Sequence, residues 1–136
     1  DGRPLSVAIV DLDHFKPIND AHGHLGGDEA LRGFAHYLQG AAAPLGPVGR
    51  IGGEEFLLLL PGLDQARALA GLEAVRAALP PVTLAGAPLQ LSFSAGVAQF
   101  DGREAPAELM RRADLALYRA KTTGRNRVVA VDTPQL

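Results

Sequence analysis

The sequence predicts an α/β fold in which strands and helices alternate along a single domain. Three observations support this prediction. Short apolar runs rich in β-branched residues alternate with segments whose apolar residues recur every three or four positions. Glycine and proline cluster between most of these segments. The chain has 136 residues, which is enough for one domain with a core of its own.

The first half of the chain predicts a strand, a helix and a hairpin. Residues 5–10 form a short apolar run interrupted only by Ser6, which is typical of a buried strand. In residues 26–38 the apolar side chains recur at helical spacing, so we expect a helix with one apolar face. Residues 40–49 are rich in glycine, proline and alanine and predict a loop. Residues 48–60 predict two strands around a tight turn at two adjacent glycines.

The second half predicts two further helices and two further strands. Residues 64–79 carry leucine and valine at helical spacing, and two prolines then end the helix. Residues 89–100 alternate between apolar and polar or small side chains, which predicts one long strand. A third helix begins at Pro106 and ends near Gly124, and residues 127–131 form a last short strand. The complete order is βαββαβαβ.

Composition excludes several classes of protein. Hydrophobic residues make up 47% and charged residues 21% of the chain, as in ordinary globular domains. The chain has no cysteine, which excludes a disulfide scaffold and thiol catalysis. The longest apolar run, residues 56–60, is too short for a transmembrane helix, and the N-terminal residues do not resemble a signal peptide. We therefore expect a cytoplasmic location and no membrane contact in this segment.

The charges are distributed unevenly along the chain. A net charge of -2 and an aromatic content of 5% argue against a nucleic-acid-binding protein. Acidic residues dominate the first 29 positions, whereas seven of the 13 basic residues lie between Arg103 and Arg127. A site for a metal ion and a nucleotide requires both kinds of cluster, but solvated surface charges give the same pattern.

Two acidic segments could carry chemistry. Asp11 and Asp13 follow the first predicted strand, and ligands bind at strand ends in open α/β sheets. Helix capping explains such aspartates equally well. Glu54 and Glu55 follow the two glycines of the predicted hairpin, and two adjacent glutamates favour a divalent cation. An exposed turn with solvated acids is the alternative.

Basic residues and histidines complete the candidate set. Lys121 and Arg125 lie four residues apart at the end of the third helix, where they could bind phosphate oxygens or compensate the helix dipole. The four histidines lack a convincing ligand spacing, and His22 and His24 flank Gly23 in a predicted loop. No glycine-rich phosphate-binding or dinucleotide-binding motif is present in the sequence.

Four segments together match the pattern of one protein family. Residues 52–56 read GGEEF, and residues 11–20 resemble the pattern D-x-D-x-F-K-x-x-N-D. Residues 22–28 resemble F-G-H-x-x-G-D, and residues 112–126 resemble R-A-D-x-A-L-Y-x-A-K-x-x-G-R-N. All four occur in the same order as in the family and span nearly the whole chain. The sequence therefore resembles the GGDEF domains of bacterial signalling proteins, the diguanylate cyclases.

This resemblance implies a fold and a reaction. The fold is a mostly antiparallel central sheet flanked by helices, as in nucleotide cyclases. The reaction condenses two GTP molecules into cyclic di-GMP and diphosphate across a two-fold homodimer, in which each chain supplies half a site. The family's usual D-x-L-T-x-L-x-N-R segment does not precede the first strand. We therefore expect residues 1–136 to be one GGDEF domain from the C-terminal part of a longer multidomain signalling protein.

The resemblance also implies roles for individual residues. Two Mg²⁺ or Mn²⁺ ions per active site are expected at the carboxylates of Asp11, Glu54 and Glu55 and the carbonyl of Leu12. Glu54 and Glu55 are the expected catalytic residues, with Glu54 as base for the ribose 3′-hydroxyl. Guanine recognition is expected from Asn19 and Asp28. The expected phosphate and ribose contacts are Lys121, Arg125, the backbone of His14, Phe15 and Lys16, and the close approach allowed by Gly52 and Gly53.

One departure from the family and two alternatives remain. The family's product-inhibition motif, R-x-x-D, would fall on residues 43–46, which read APLG. We therefore expect no separate inhibitory site and expect released cyclic di-GMP to bind at the active site instead. The first alternative function is a GGDEF-type binding module for GTP or cyclic di-GMP with little turnover. The second is a phosphoacceptor receiver domain, which would need an aspartate at the end of a later strand.

Overall fold

The computed structural model describes residues 2–131 as seven strands and three helices. The elements, in chain order, are β1 (Leu5–Leu12), α1 (Phe15–Ala42), β2 (Val48–Arg50), β3 (Glu55–Pro61), α2 (Gln65–Ala77), β4 (Val82–Leu84), β5 (Ala87–Leu89), β6 (Phe93–Gln99), α3 (Pro106–Thr122) and β7 (Val128–Ala130). No helix in this described part of the chain is both long enough and apolar enough to cross a membrane.

Within the described residues, five strands form one sheet in the order β2-β3-β1-β6-β7. β1 lies at its centre and pairs antiparallel with β3 and β6, while β6 and β7 run parallel. β4 and β5 form a separate two-stranded hairpin. The expected mostly antiparallel sheet flanked by helices is therefore confirmed.

The helices cover the two faces of this sheet and explain the apolar run of β1. Ala8 and Val10 point into the larger core beneath α1 and α2. Val7 and Ile9 point to the opposite face, where they pack with residues of α3. Because successive side chains of a strand alternate between faces, a strand buried on both faces must be apolar throughout.

α1 is longer than the sequence pattern predicts. It begins at Phe15 instead of residue 26 and ends at Ala42, inside the predicted loop. Pro17 and Gly23 obscure its first half in the sequence, but a proline is tolerated in the first turn, where backbone N–H groups have no helical partner. The backbone departs from helical geometry at Gly23, with φ 76° and ψ 173°, so a kink replaces the predicted loop there.

The single long strand predicted over residues 89–100 is also wrong. β5 ends at Leu89 and β6 begins at Phe93, so the alternating pattern crosses a break in the strand. Leu91 is buried without belonging to a strand, which is why the alternation continues. The β4–β5 hairpin, whose turn has positive φ at Ala85 and Gly86, was not predicted, since its three-residue strands are too short to show a period.

α3 packs on the sheet at closest range over Gly96 of β6. A Cβ atom at this position would lie 2.2 Å from the carbonyl oxygen of Ala113 and 2.2 Å from the backbone nitrogen of Leu117. Both contacts are with helix backbone, which cannot move aside as a flexible side chain could. Glycine within a strand often marks such an approach of another backbone.

We predict that Gly96→Ala destabilises the domain by about 1–3 kcal/mol, the usual cost of overpacking a core. Gly49→Ala in β2 is the matched control, because a Cβ there meets nothing within 4 Å. Urea denaturation of the two variants measures the difference. Equal unfolding free energies for both would contradict the close packing of α3 on β6.

Candidate functional site

A cavity of about 300 Å³ lies at the C-terminal end of β1. Four parts of the fold meet there: the end of β1, the start of α1, the β2–β3 hairpin, and the end of α3 with its following turn. The residues lining it are Asp11, Leu12, Asp13, His14, Phe15, Lys16, Pro17, Glu54, Lys121 and Arg125. The structure thus brings together most of the residues that the sequence pattern singles out.

Strand pairing places the acidic residues of this cavity next to one another. Asp11 of β1 lies directly opposite Glu55 of β3 in the antiparallel register. The backbone N–H of Leu12 donates to the carbonyl oxygen of Glu54 at 3.1 Å, which joins the hairpin tip to the strand end. The spacing of these carboxylates is therefore set by the sheet and not by flexible loops.

Burial and mutual repulsion disfavour the ionised forms of the carboxylates in this acidic cluster. Burial raises the pKa of Asp11, and the nearby charges of Glu54 and Asp13 raise it further against the opposing effect of Lys121. The pKa of Glu55 is also raised, by burial and by the charge of Asp11. A cation bound here would relieve both effects.

Lys121 is the cation that the structure places at Asp11. Its ammonium group donates to Oδ2 of Asp11, whose side chain is 6% exposed. Over residues 2–131, no three His, Cys, Asp or Glu side chains converge as ligands of one ion. The available donors are nevertheless all oxygen atoms, namely the carboxylates and the Leu12 carbonyl, and such a set suits Mg²⁺ or Mn²⁺.

Arg50 shapes the hairpin tip, a role that the sequence pattern did not indicate. Its Nε donates to the carbonyl oxygens of Gly52 at 3.1 Å and Gly53 at 3.0 Å, and its Nη2 donates to Gly53 at 2.6 Å. A Cβ on Gly53 would meet nothing within 4 Å, so this backbone is open to close approach. Arg50 therefore fixes the turn from which Glu54 and Glu55 project.

Asp13 is a second residue whose position the sequence did not settle. Its carboxylate accepts hydrogen bonds from Ser92 Oγ at 2.7 Å, Ser94 Oγ at 2.6 Å and the backbone N–H of Asn126 at 2.9 Å. The capping interpretation is wrong for this residue, since His14 occupies the N-cap of α1. Asp13 instead connects three segments that are remote in sequence.

The two residues expected to recognise guanine lie outside the lining of this cavity. Asn19 and Asp28 occupy α1 on either side of the Gly23 kink. Asn19 Oδ1 is buried without a hydrogen-bond partner. A Cβ atom added to Gly27 would lie 1.9 Å from this oxygen. Asp28 borders two neighbouring cavities of about 360 Å³ each. The missing side chain of Gly27 therefore leaves room for the Asn19 side chain, while Asp28 faces the two neighbouring cavities.

Comparison with known proteins identifies the relatives of this chain. The family model described as diguanylate cyclase, GGDEF domain, matches residues 1–127. The diguanylate cyclase DgcP of Pseudomonas aeruginosa is 46% identical over 132 residues, and DgcM of Escherichia coli K12 is 46% identical over 128 residues. Each alignment covers 94% of this chain but only 19% and 31% of those relatives. The chain thus spans less than a third of their length.

Solved structures show the same relationship at the level of the fold. The GGDEF domain of DgcB from Caulobacter crescentus in complex with c-di-GMP gives a TM-score of 0.87 at 35% identity, covering 95% of this chain and 78% of that one. The active GGEEF domain of a diguanylate cyclase from Vibrio cholerae gives 0.86 at 34% identity, covering 97% and 85%. These similarities extend over almost all of the chain.

We predict that Asp11→Asn raises the stability of the domain at neutral pH by roughly 0.5–2 kcal/mol when divalent cations are removed with a chelator. Because the pKa of Asp11 is raised on folding, its ionised form opposes folding at neutral pH. The cost disappears as the pH falls through the folded pKa towards the unfolded value. The stability difference between variant and parent should therefore shrink in acid.

Thermal unfolding of both proteins at neutral and acidic pH measures this difference. Asp20→Asn is the matched control, because Asp20 is an exposed aspartate that pairs with the exposed Lys16. A surface pair of this kind contributes little. If Asp11→Asn were no more stable than Asp20→Asn, the repulsion inferred at the strand end would be absent.

Proposed function

Because the chain belongs to the GGDEF family, we propose that it is a diguanylate cyclase domain that condenses two GTP molecules into cyclic di-GMP and releases two molecules of diphosphate. The observation that carries this proposal is the shared cavity at the end of β1, which joins Asp11 and Glu54 to Lys121 and Arg125. Carboxylates for metal ions and cations for phosphates are both required by nucleotidyl transfer, and here they lie side by side.

The triphosphate of GTP is assigned to the basic side of the cavity. Lys121 and Arg125 bind the terminal phosphates, and the backbone of residues 14–16 lines the same cavity at the start of α1. Asp11, the Leu12 carbonyl, Glu54 and Glu55 would hold two Mg²⁺ or Mn²⁺ ions. When bound, the ions neutralise the charge that develops on the phosphate oxygens.

Guanine is assigned to Asn19 and Asp28. The Asp28 carboxylate can accept hydrogen bonds from N1–H and the 2-amino group of guanine. The amide nitrogen of Asn19 can in addition donate to the base. Adenine lacks this donor edge and would leave the polar groups unpaired, which is a strong basis for rejection.

The proposed chemistry consists of two equivalent transfers. In each, the ribose 3′-oxygen of one GTP forms a bond to the α-phosphorus of the other, and the bond from that phosphorus to diphosphate breaks. Glu54 accepts the proton of the 3′-hydroxyl. Since the product has two-fold symmetry, two identical chains facing each other across a two-fold axis suffice, with one GTP on each.

Released cyclic di-GMP keeps both guanines and therefore competes with GTP for the same groups. Residues 43–46 contain neither the arginine nor the aspartate of the family's inhibitory motif. We propose that product binding takes place at Asn19 and Asp28, without the contacts that Lys121 and Arg125 make to the terminal phosphates.

We predict that Glu54→Gln abolishes nearly all formation of cyclic di-GMP from GTP and Mg²⁺ while the domain stays folded. The substitution keeps the size of the side chain but removes both the proton acceptor and a metal ligand. Chromatographic measurement of the product and circular dichroism of the protein test both parts. Glu108→Gln, at a half-exposed glutamate in the first turn of α3, serves as the matched control.

The outcomes of this experiment separate the candidate functions. A parent protein that binds GTP but makes no cyclic di-GMP would be a nucleotide-binding module and would overturn the proposed cyclase. Turnover by Glu54→Gln equal to that of Glu108→Gln would remove Glu54 from the chemistry.

We predict that specific activity rises with protein concentration, because one chain supplies only half of a site. Fusion of a dimeric coiled coil before residue 1 should raise activity at low concentration by raising the effective concentration of the partner. A fusion whose coiled-coil core carries charged residues is the control, since it adds the same length without dimerising. An activity per chain that is constant on dilution would contradict the two half-sites.

A further inference from the structure

Asp13 forms a buried junction between three segments of the chain. It is 4% exposed, and its oxygens are satisfied by Ser92 and Ser94 on one side and by the backbone of Asn126 on the other. Ser94 lies in β6 and Ser92 directly precedes that strand, while Asn126 belongs to the turn after α3. A buried carboxylate with three hydrogen bonds is a rigid attachment point.

The turn attached in this way has an unfavourable backbone conformation. Gly124, Arg125 and Asn126 have φ values of 129°, 60° and 48°. For arginine this left-handed geometry is sterically unfavourable, and it persists only where the surroundings impose it. The turn, defined as residues 124–127, therefore requires external hydrogen bonds to keep its shape.

Further contacts hold the middle of this turn and the residue that follows it. Arg125 N–H donates to the carbonyl oxygen of Ala120 at 2.9 Å, and Asn126 Oδ1 accepts from Arg76 at 3.0 Å. Val128 N–H donates to Glu73 at 3.0 Å. The hydrogen bond from Asn126 N–H to Asp13 differs from these contacts, because Asp13 is buried and lines the cavity. It acts on the residue directly after Arg125.

We propose that Asp13 is a positioning residue for the terminal phosphates of the substrate: by holding the turn, it presents Arg125 to the cavity at the end of β1. This inference rests on the proposed function, since it takes Arg125 as a phosphate ligand. The Asp13 carboxylate is 4% exposed and already accepts three hydrogen bonds, so we assign it no direct contact with the phosphates or the metal ions. Its effect reaches the substrate through the backbone of Asn126.

The test measures binding of a non-hydrolysable GTP analogue in the presence of Mg²⁺ by calorimetry. Asp13→Ala should weaken binding about 10- to 100-fold, the range expected for one lost charge-assisted contact. Arg125→Ala should weaken it similarly, and the double variant should lose no more than either single variant. Such non-additivity shows that the two residues act through one contact. In the cyclase assay, KM for GTP should rise more than kcat falls.

Two control variants separate positioning from general damage to the structure. Asp13→Asn can keep its oxygen towards Asn126 and donate to Ser94, so its affinity should stay within about threefold of the parent. Ser92→Ala combined with Ser94→Ala removes the bonds on the β6 side only. This double variant should have a lower melting temperature than the parent, while its affinity for the GTP analogue stays within about threefold.

Hydrogen exchange supplies a measurement that needs no variant. The N–H of the exposed Asn126 should exchange slowly in the folded parent, because it is bonded to a buried carboxylate. Rapid exchange would overturn the inference even if Asp13→Ala did not fold.

The binding results distinguish this inference from the function on which it rests. A parent that fails to bind the analogue refutes the proposed function and the inference with it. A parent that binds, with additive losses in the double variant or an unchanged affinity in Asp13→Ala, refutes the inference alone.

Discussion

The antiparallel pairing of β1 with its two neighbours is the constraint on which the site depends. One register places Asp11 opposite Glu55, and the other brings the end of β1 against the start of β6, where Ser94 bonds Asp13. A shift of one residue in either register would turn the aspartates to the wrong faces of the sheet. Such a shift would also exchange the side chains of β1 between two cores that are each packed around particular residues, which opposes it. Core packing therefore fixes the positions of the polar groups.

The same arrangement explains why the site is electrostatically costly. Strand pairing brings carboxylates together where burial already disfavours their charge, and Lys121 offsets only part of that cost. In the proposed site, the Lys121 ammonium group would be shared between Asp11 and a phosphate, two partners of the same sign. The charge of a metal ion would complement that of a triphosphate there, so binding of one would favour binding of the other.

The sequence predicts those features whose causes are local. Apolar spacing predicts the buried strand and the third helix, and two adjacent glycines predict the hairpin turn. The GGEEF segment indicates the family directly. The first half of α1 escaped prediction because Pro17 and Gly23 interrupt its pattern, although neither prevents a kinked helix. The role of Asp13 could not be predicted, since its partners lie 79 to 113 residues away and only the folded sheet brings them close. Arg50 is a different case, because its partners are two and three residues away but a lone arginine shows no pattern.

The proposed guanine and phosphate contacts differ in how the fold constructs them. Asn19 and Asp28 belong to one helix on either side of the kink at Gly23, and the absent side chain of Gly27 leaves room for Asn19. The phosphate contacts combine the ends of β1 and α3 with a strained turn held by Asp13. Under the proposed assignments, base recognition would depend on geometry within α1, whereas phosphate binding would depend on the integrity of the whole sheet. Local unfolding at either edge of the sheet would then disturb the proposed phosphate binding before it disturbed the proposed choice of base.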